Sequence, residues 1–203
     1  ADEVRFYTER ILEYADRRMS AEIEAMPDGE YTGEGWVDSD GLDETDLPIR
    51  VRVTIAGDRV KVDFTGSAPQ ARGGVNGSLA TSQATAAIPF LYYVDPTIPH
   101  NDGCIRHIEV IAPEGTITNA RYPGSTSCAT AIPSDCMHDA VNRAMAAAIP
   151  ERVPAGGTKQ SNLPQFSGLD DAGEAWGVML FNGTGGSGAA RGSDGWPLFE
   201  SID

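Results

Sequence analysis

Cysteine is scarce in this chain of 203 residues. Cys104, Cys128 and Cys136 are the only three; they form no CxxC pair and an odd number cannot all be bridged, so reduced thiols and a reducing compartment, the cytoplasm, are expected. Basic residues are also few: 15 Lys+Arg stand against 30 Asp+Glu, a formal charge of −15. Such a surface repels phosphate backbones and anionic lipid head groups, which makes nucleic acid and membranes poor partners. No apolar run approaches the ~20 residues that span a bilayer; the longest, residues 84–94, is broken by Pro89. Residues 1–19 are charged and amphipathic, so no secretory signal is visible. A GxxxxGK[ST] phosphate loop is missing too, which leaves any nucleotide chemistry to a partner.

What is present suffices for a folded domain. Hydrophobic residues make up 40% of the chain, enough for a sizeable core in one domain over residues 1–203. Leu12, Ala15, Met19, Ile23 and Met26 recur at spacings of three and four, one face of an amphipathic helix that runs to about Ala25 and stops at Pro27-Asp28-Gly29. Ile49, Val51, Val53 and Ile55 alternate with Arg50, Arg52 and Thr54, and Val60, Val62 and Phe64 alternate with Lys61, Asp63 and Thr65. This period of two, on either side of Ala56-Gly57-Asp58-Arg59, predicts a β-hairpin with one buried face. Residues 30–37 add a third strand. Residues 79–93 predict a buried helix kinked or stopped near Pro89, and residues 105–112 a strand. Pro133-Ser134-Asp135 opens a helix running to Ala148, which Ser134 is placed to cap. Residues 175–181 form a last strand. The order is that of an α+β (mixed α/β) domain, a hairpin and meander sheet with packed helices: an N-terminal helix in residues 1–28, a core in 29–182 and a glycine-rich tail in 183–203.

Four constellations have the residue types of a site. Gly183-Thr184-Gly185-Gly186-Ser187-Gly188 contains GxGxxG, yet Gly192 to Pro197 break the helix a dinucleotide turn would need, so a loop for close backbone approach is the stronger reading. His100, Asp102, Cys104 and His107 fall within eight residues and are metal-ligand types. Pro99 and Gly103 make that segment a turn, no second cluster adds ligands, and the histidines read as incidental surface or strand residues. Asp135 and His138, at i and i+3, are spaced to meet on a helix, with Cys128 as a thiol that reaches them from the preceding loop. Cys136 lies on a different face, and free cysteines serve more often as small buried apolar residues. The Ser125-Thr126-Ser127-Cys128 loop suits a carboxylate or phosphate equally well. Finally, Asp63 to Ser67 with Gly73-Gly74-Val75-Asn76 places a carboxylate and an amide beside a strand end, compatible with a site or with turn chemistry alone.

The stretch VDFTGSAPQARGGVNGSLATSQATAAIPFLYYVDPTIPHNDG, residues 62–103, resembles the hydantoinase B / oxoprolinase family. The resemblance continues through Ile108-Glu109-Val110-Ile111-Ala112-Pro113-Glu114-Gly115-Thr116, then Asn119, Arg121 and Pro123, and from Ala148 to Thr158. Asn101-Asp102-Gly103 matches the family's Asn-acidic-Gly turn. The resemblance implies part of an ATP-dependent cytosolic enzyme that opens hydantoin or 5-oxoproline rings, or carboxylates ketones such as acetone or acetophenone, by phosphorylating a weakly electrophilic or enolate oxygen. It also implies a hydantoinase A-like partner subunit that binds the nucleotide, and a small-molecule substrate. Family members are longer, with His- and Asp-rich segments of the Gly-Thr-His and His-His type where the carboxylases place their metal, and neither segment occurs here. The chain is therefore expected to be an interior or C-terminal piece that binds no cofactor itself. ATP and a divalent metal would belong to the full complex, which includes the remainder of the hydantoinase B-like chain.

The resemblance does not assign catalytic residues; the candidates are Asp63, Asn76, Asn101, Asp102 and Cys104. Hydrolysis of a cyclic amide is the first choice on family breadth, with ketone carboxylation as the alternative. The contrasting reading is a scaffold or interface domain without reacting groups. The readings separate on whether the polar residues of segments 63–76 and 101–104 converge on one concave surface.

Overall fold

The apolar spacing of the first segment produces helix α1 (Asp2–Glu24), with Ala15, Met19 and Ile23 fully buried and Asp2 and Glu3 at the positive end of the helix dipole. Here a computed structural model describes residues 2–157, 165–179 and 186–196. Two compact units result, Ala1–Val153 and Pro154–Asp203.

In the first unit, β1 (Gly29–Ser39), β2 (Thr45–Ala56), β3 (Arg59–Asp63) and β4 (Ile108–Ile111) form a sheet in that order. The alternation read from sequence sets the register: Val53 lies opposite Val62 and Ile55 opposite Val60, all four buried, while Arg50, Arg52 and Lys61 face the solvent. Gly57 supplies the positive φ, +59°, that the two-residue turn between β2 and β3 demands. Asp28 Oδ1 accepts the Gly57 amide at 2.9 Å and so ties the exit of α1 to that turn. Strand β4 pairs parallel to β3, which requires a crossover, and α2 (Leu79–Tyr93) lies within it.

Helix α4 (Pro133–Met145) packs directly on β1. The approach is close because β1 has no side chains there: a Cβ on Gly33 would lie 2.0 Å from the Ala140 carbonyl oxygen, and one on Gly35 would lie 2.3 Å from that of Cys136. Cys136, Ala140 and Ala144, four apart, give α4 a matching small-residue face.

Several expectations change. Helix α2 has the expected bounds, Leu79–Tyr93, but does not stop at Pro89, with Pro89, Phe90 and Tyr93 buried; packing outweighs the one hydrogen bond proline cannot give. The strand expected over residues 105–112 is shorter. Asn101 Oδ1 accepts the Gly103 amide at 2.8 Å and starts a short helix, α3 (Asp102–Ile105), which takes Ile105 out of the strand. Ser134 does not cap α4: Ile132 holds the cap position without a side-chain bond, and the Ser134 hydroxyl donates back to the Thr130 carbonyl. Helix α4 ends at Met145, three residues short of the expected Ala148.

The second unit holds a hairpin of β5 (Gln165–Leu169), which the sequence reading did not anticipate, and β6 (Ala175–Met179). Asp170 Oδ1 accepts the Ala172 and Glu174 amides at 2.9 Å, and Gly173 takes φ +81°. Residues 180–181 of the expected last strand and residues 183–185 of the GxGxxG loop lie outside the described residues. Gly188 shows the close backbone approach read from that loop, since a Cβ there would fall 1.6 Å from the Ala155 carbonyl oxygen.

One carboxylate organises the loops at the end of β1. Asp40, buried, accepts the Leu42, Asp43 and Glu44 amides on Oδ1 at 2.9–3.1 Å and the Gly73 amide on Oδ2 at 3.0 Å. Burial opposes its ionisation, but the four amides together hold its carboxyl below the usual range. A depressed folded-state value means that the stabilisation is present above the unfolded value and lost as pH falls through the folded one. Asp40→Asn is therefore expected to melt below the parent near neutral pH, with the gap narrowing as pH falls below the unfolded carboxyl value of about 3.9. A gap that stays constant with pH would count against the charged staple.

Candidate functional site

The alternation that buries one face of the sheet sends Glu34, Arg50, Arg52 and Asp63 to the other. Thr32, Glu34, Arg50, Arg52, Asp63 and Thr65, with Arg143 reaching over from α4, line a groove of about 550 Å³. Register places Glu34 opposite Arg50 and Arg52 between Thr32 and Asp63. Arg50 Nε donates to Glu34 Oε1 at 2.8 Å and its Nη1 to the Gly66 carbonyl at 3.0 Å. Arg52 Nε meets Glu30 at 3.2 Å. Arg143 Nη1 donates to the Glu34 carbonyl at 3.1 Å, with its guanidinium 5.8 Å from the Trp36 ring centre. Partial burial raises the cost of ionising Asp63, yet the Thr65 hydroxyl and amide, Lys61 and Arg52 hold its carboxyl below the usual range. The groove thus presents fixed guanidinium and carboxylate groups side by side. It can hold a polar or charged ligand, and each of its half-exposed pairs contributes at most about 1 kcal/mol to stability.

Asp63 is the only one of the five candidates among the residues lining this groove. Asn76 is fully buried: its Oδ1 accepts the Ala71 amide at 2.8 Å and its Nδ2 donates to the Ala71, Gly73 and Ser125 carbonyls at 3.0–3.1 Å. Asn101 caps α3. Asp102 is exposed and accepts Arg106 Nε and Nη2 at 3.1 Å, and the buried Cys104 thiol donates to the Pro99 carbonyl at 3.0 Å. Protein contacts account for Asn76, Asp102 and Cys104, whereas Asn101 uses its Oδ1 on the Gly103 amide and leaves its buried Nδ2 without a partner. Among the described residues no three His, Cys, Asp or Glu gather as a metal site needs.

His107 departs from the expectation of an incidental surface or strand residue. It is buried just before β4, with Nε2 at 3.1 Å from Asp16 Oδ1 on α1 and Nδ1 at 2.9 Å from the Asp58 carbonyl and 3.2 Å from its carboxylate. It joins helix, hairpin turn and strand. His100 is exposed, as expected.

Around the thiol constellation, His138 also reaches the end of α2. His138 Nε2 lies 2.7 Å from the Tyr92 hydroxyl, which donates to Asn142 Oδ1 at 2.6 Å, and Tyr93 donates to the same oxygen. Burial pushes both phenols above their ordinary range. The Cys136 thiol donates to the Trp36 carbonyl at 3.0 Å, and the half-buried Cys128 sits 4.0 Å from the Ser127 hydroxyl. The tyrosine pair was missed by sequence reasoning. Its signal, Tyr92-Tyr93 at the end of one helix and His138 and Asn142 four apart on another, has no meaning until the helices are paired.

A sequence model of the family described as Hydantoinase B/oxoprolinase matches residues 1–202. The chain belongs to that family. It is 32% identical over 212 aligned positions to a protein named as the B-type subunit of a D-/L-hydantoinase from Pseudomonas sp. (strain NS671), covering 99% of this chain and 35% of the relative. The crystal structure of the ATP-dependent caprolactamase from Pseudomonas jessenii superposes with a TM-score of 0.82 at 30% identity, covering 97% of this chain and 34% of that one. A nucleotide-free acetone carboxylase has the same fold, with a TM-score of 0.80 at 22% identity over 95% of this chain and 29% of that one. The chain thus spans about a third of the length of these hydantoinase B relatives. Homology of this kind confirms the resemblance and the mixed α+β fold read from the sequence.

Proposed function

We propose that this chain is part of the B-type subunit of an ATP-dependent enzyme that hydrolyses a cyclic amide, a hydantoin or 5-oxoproline, in the cytoplasm together with a hydantoinase A-like ATP-binding subunit. The likeness to caprolactamase supports this most directly, because it joins 30% identity and a common fold over 97% of the chain to a protein named for ATP-dependent action on a lactam. An amide carbonyl is a weak electrophile, and phosphorylating its oxygen is what would couple ring opening to ATP. The sequence holds no GxxxxGK[ST] phosphate loop, and in this reading the nucleotide and a divalent metal belong to the remainder of the complex. Of the five candidate side chains only Asp63 lines the groove, and apart from the buried Asn101 Nδ2 the others are engaged by protein groups. Within the enzyme this chain therefore serves as scaffold, with the Asp63 groove as its exposed polar wall. Ketone carboxylation is the second reading, supported by a common fold alone.

The test is ATP hydrolysis by the full-length subunit with its A-type partner, offered 5-oxoproline, hydantoins, or ketones with bicarbonate. Stimulation of about tenfold or more by a cyclic amide is expected, and none in the 203-residue chain by itself. Stimulation confined to ketone plus bicarbonate would sink the hydrolase reading, and activity in the isolated chain would sink the scaffold role.

A further inference from the structure

Helix α1 extends well beyond its packing. Residues 2–11 are all exposed, and the first fully buried side chain is Ala15. Ten helical residues make ~15 Å of helix, a length that is marginal in water on its own. This extension is nevertheless apolar along one side. Val4, Tyr7, Ile11 and Tyr14 are 71%, 57%, 52% and 40% exposed and recur at spacings of three, four and three, a single stripe such as packs against another element. The stripe runs beside the line of Ala15, Met19 and Ile23 that enters the core, so whatever covers it would continue the same packed layer. Its flanks are already ordered: Arg5 pairs with Glu9 at 3.0 Å, Arg10 with Glu13 at 2.8 Å, and the Arg10 guanidinium lies 5.4 Å from the Phe6 ring centre.

We propose that this stripe is an interface buried, in the full-length protein, against an apolar surface rimmed by Lys or Arg and supplied by the same hydantoinase B-type polypeptide outside these 203 residues. The inference rests on the reading above that the chain is part of a longer subunit. Two observations favour this occupant. Relatives that match nearly all of this chain have about two thirds of their length elsewhere, since only 34–35% of each is covered. In addition, the extension carries Asp2, Glu3, Glu9 and Glu13 against Arg5 and Arg10 on a chain of net charge −15, which disfavours a second copy and favours a basic rim.

The test needs no activity measurement, so it fails or succeeds independently of the proposed reaction. In the full-length protein, amides of residues 6–11 are expected to exchange about a hundredfold or more slowly than in the 203-residue chain, where a frayed helix end exchanges at close to unprotected rates. A photo-crosslinker placed at Tyr7 should capture a peptide of the same polypeptide outside the 203 residues. The double change Tyr7→Asp with Ile11→Asp should abolish that protection while leaving the exchange of residues 49–55 unchanged. Equal exchange in both proteins overturns the proposal. So does a crosslink to a second copy, to the A-type subunit, or to a site within these 203 residues.

Discussion

Gly33→Ala is expected to destabilise the first unit by about 1–3 kcal/mol, and Gly35→Ala by a similar amount. The modest size of one methyl group is misleading here. At both positions the obstructing atom is a backbone carbonyl oxygen of α4, 2.0 Å and 2.3 Å from the new Cβ, and a backbone atom has no rotamer to escape into. The helix itself must lift from the strand, opening voids around Ala140, Val141 and Ala144, which are fully buried. Two sites that push on the same helix share the lift, so the double variant should lose less than the sum of the two single variants. Gly156→Ala is the control, since nothing lies within 4 Å of a Cβ there. Urea unfolding decides the matter: midpoints for the two strand variants close to that of the control would mean that α4 does not rest on bare backbone.

The same pair of glycines shows where sequence reading stops. Period two in β2 and β3 and the three-four spacing in α1 are properties of one segment, so the hairpin, its buried face and the helix were legible with nothing else known. Gly33 and Gly35 have meaning only with Cys136 and Ala140, a hundred positions away, and two glycines in a strand read by themselves as weakness. The parallel pairing of β4 with β3 is a non-local choice of the same kind. Proline at position 89 left two outcomes open, a kink or a stop: its local cost is real, but Phe90 and Tyr93, both buried, keep the helix going to the expected end through packing. For the candidate site, the family motif drew attention to residues 62–103, and two side chains in it, Asp63 and Thr65, do line the groove. Their neighbours there, Glu34 and Arg143, come from other elements and carry no local signal. Asn76 and His107 could be named from sequence but not placed, because burial is decided by what packs over them.

Asn76 is where that burial has its largest expected consequence. The side chain satisfies one amide and three carbonyls from two loops, Ala71 and Gly73 on its own side and Ser125 across from it. Asn76→Leu leaves all of those groups without their partner in a dry site and is expected to cost about 3 kcal/mol or more. Asn76→Asp is the more informative change. The acceptor facing Ala71 N is kept, but the donor becomes a second oxygen among three carbonyl oxygens, and ionisation adds an unpaired buried charge. Folding then favours the protonated acid, so the new carboxyl titrates higher in the folded state than its unfolded value of about 3.9. A raised folded value means that the variant stays closest to the parent below about pH 4 and falls behind it as pH rises toward neutrality. The deficit of Asp40→Asn is likewise expected to grow with pH, but there because the parent gains stability as Asp40 ionises and here because the variant loses it, so on one pH series the absolute stability of each variant tells the two causes apart. If the Asn76→Asp deficit, taken as variant minus parent, is the same at both ends of the series, the amide is not the donor to three carbonyls that the structure makes it.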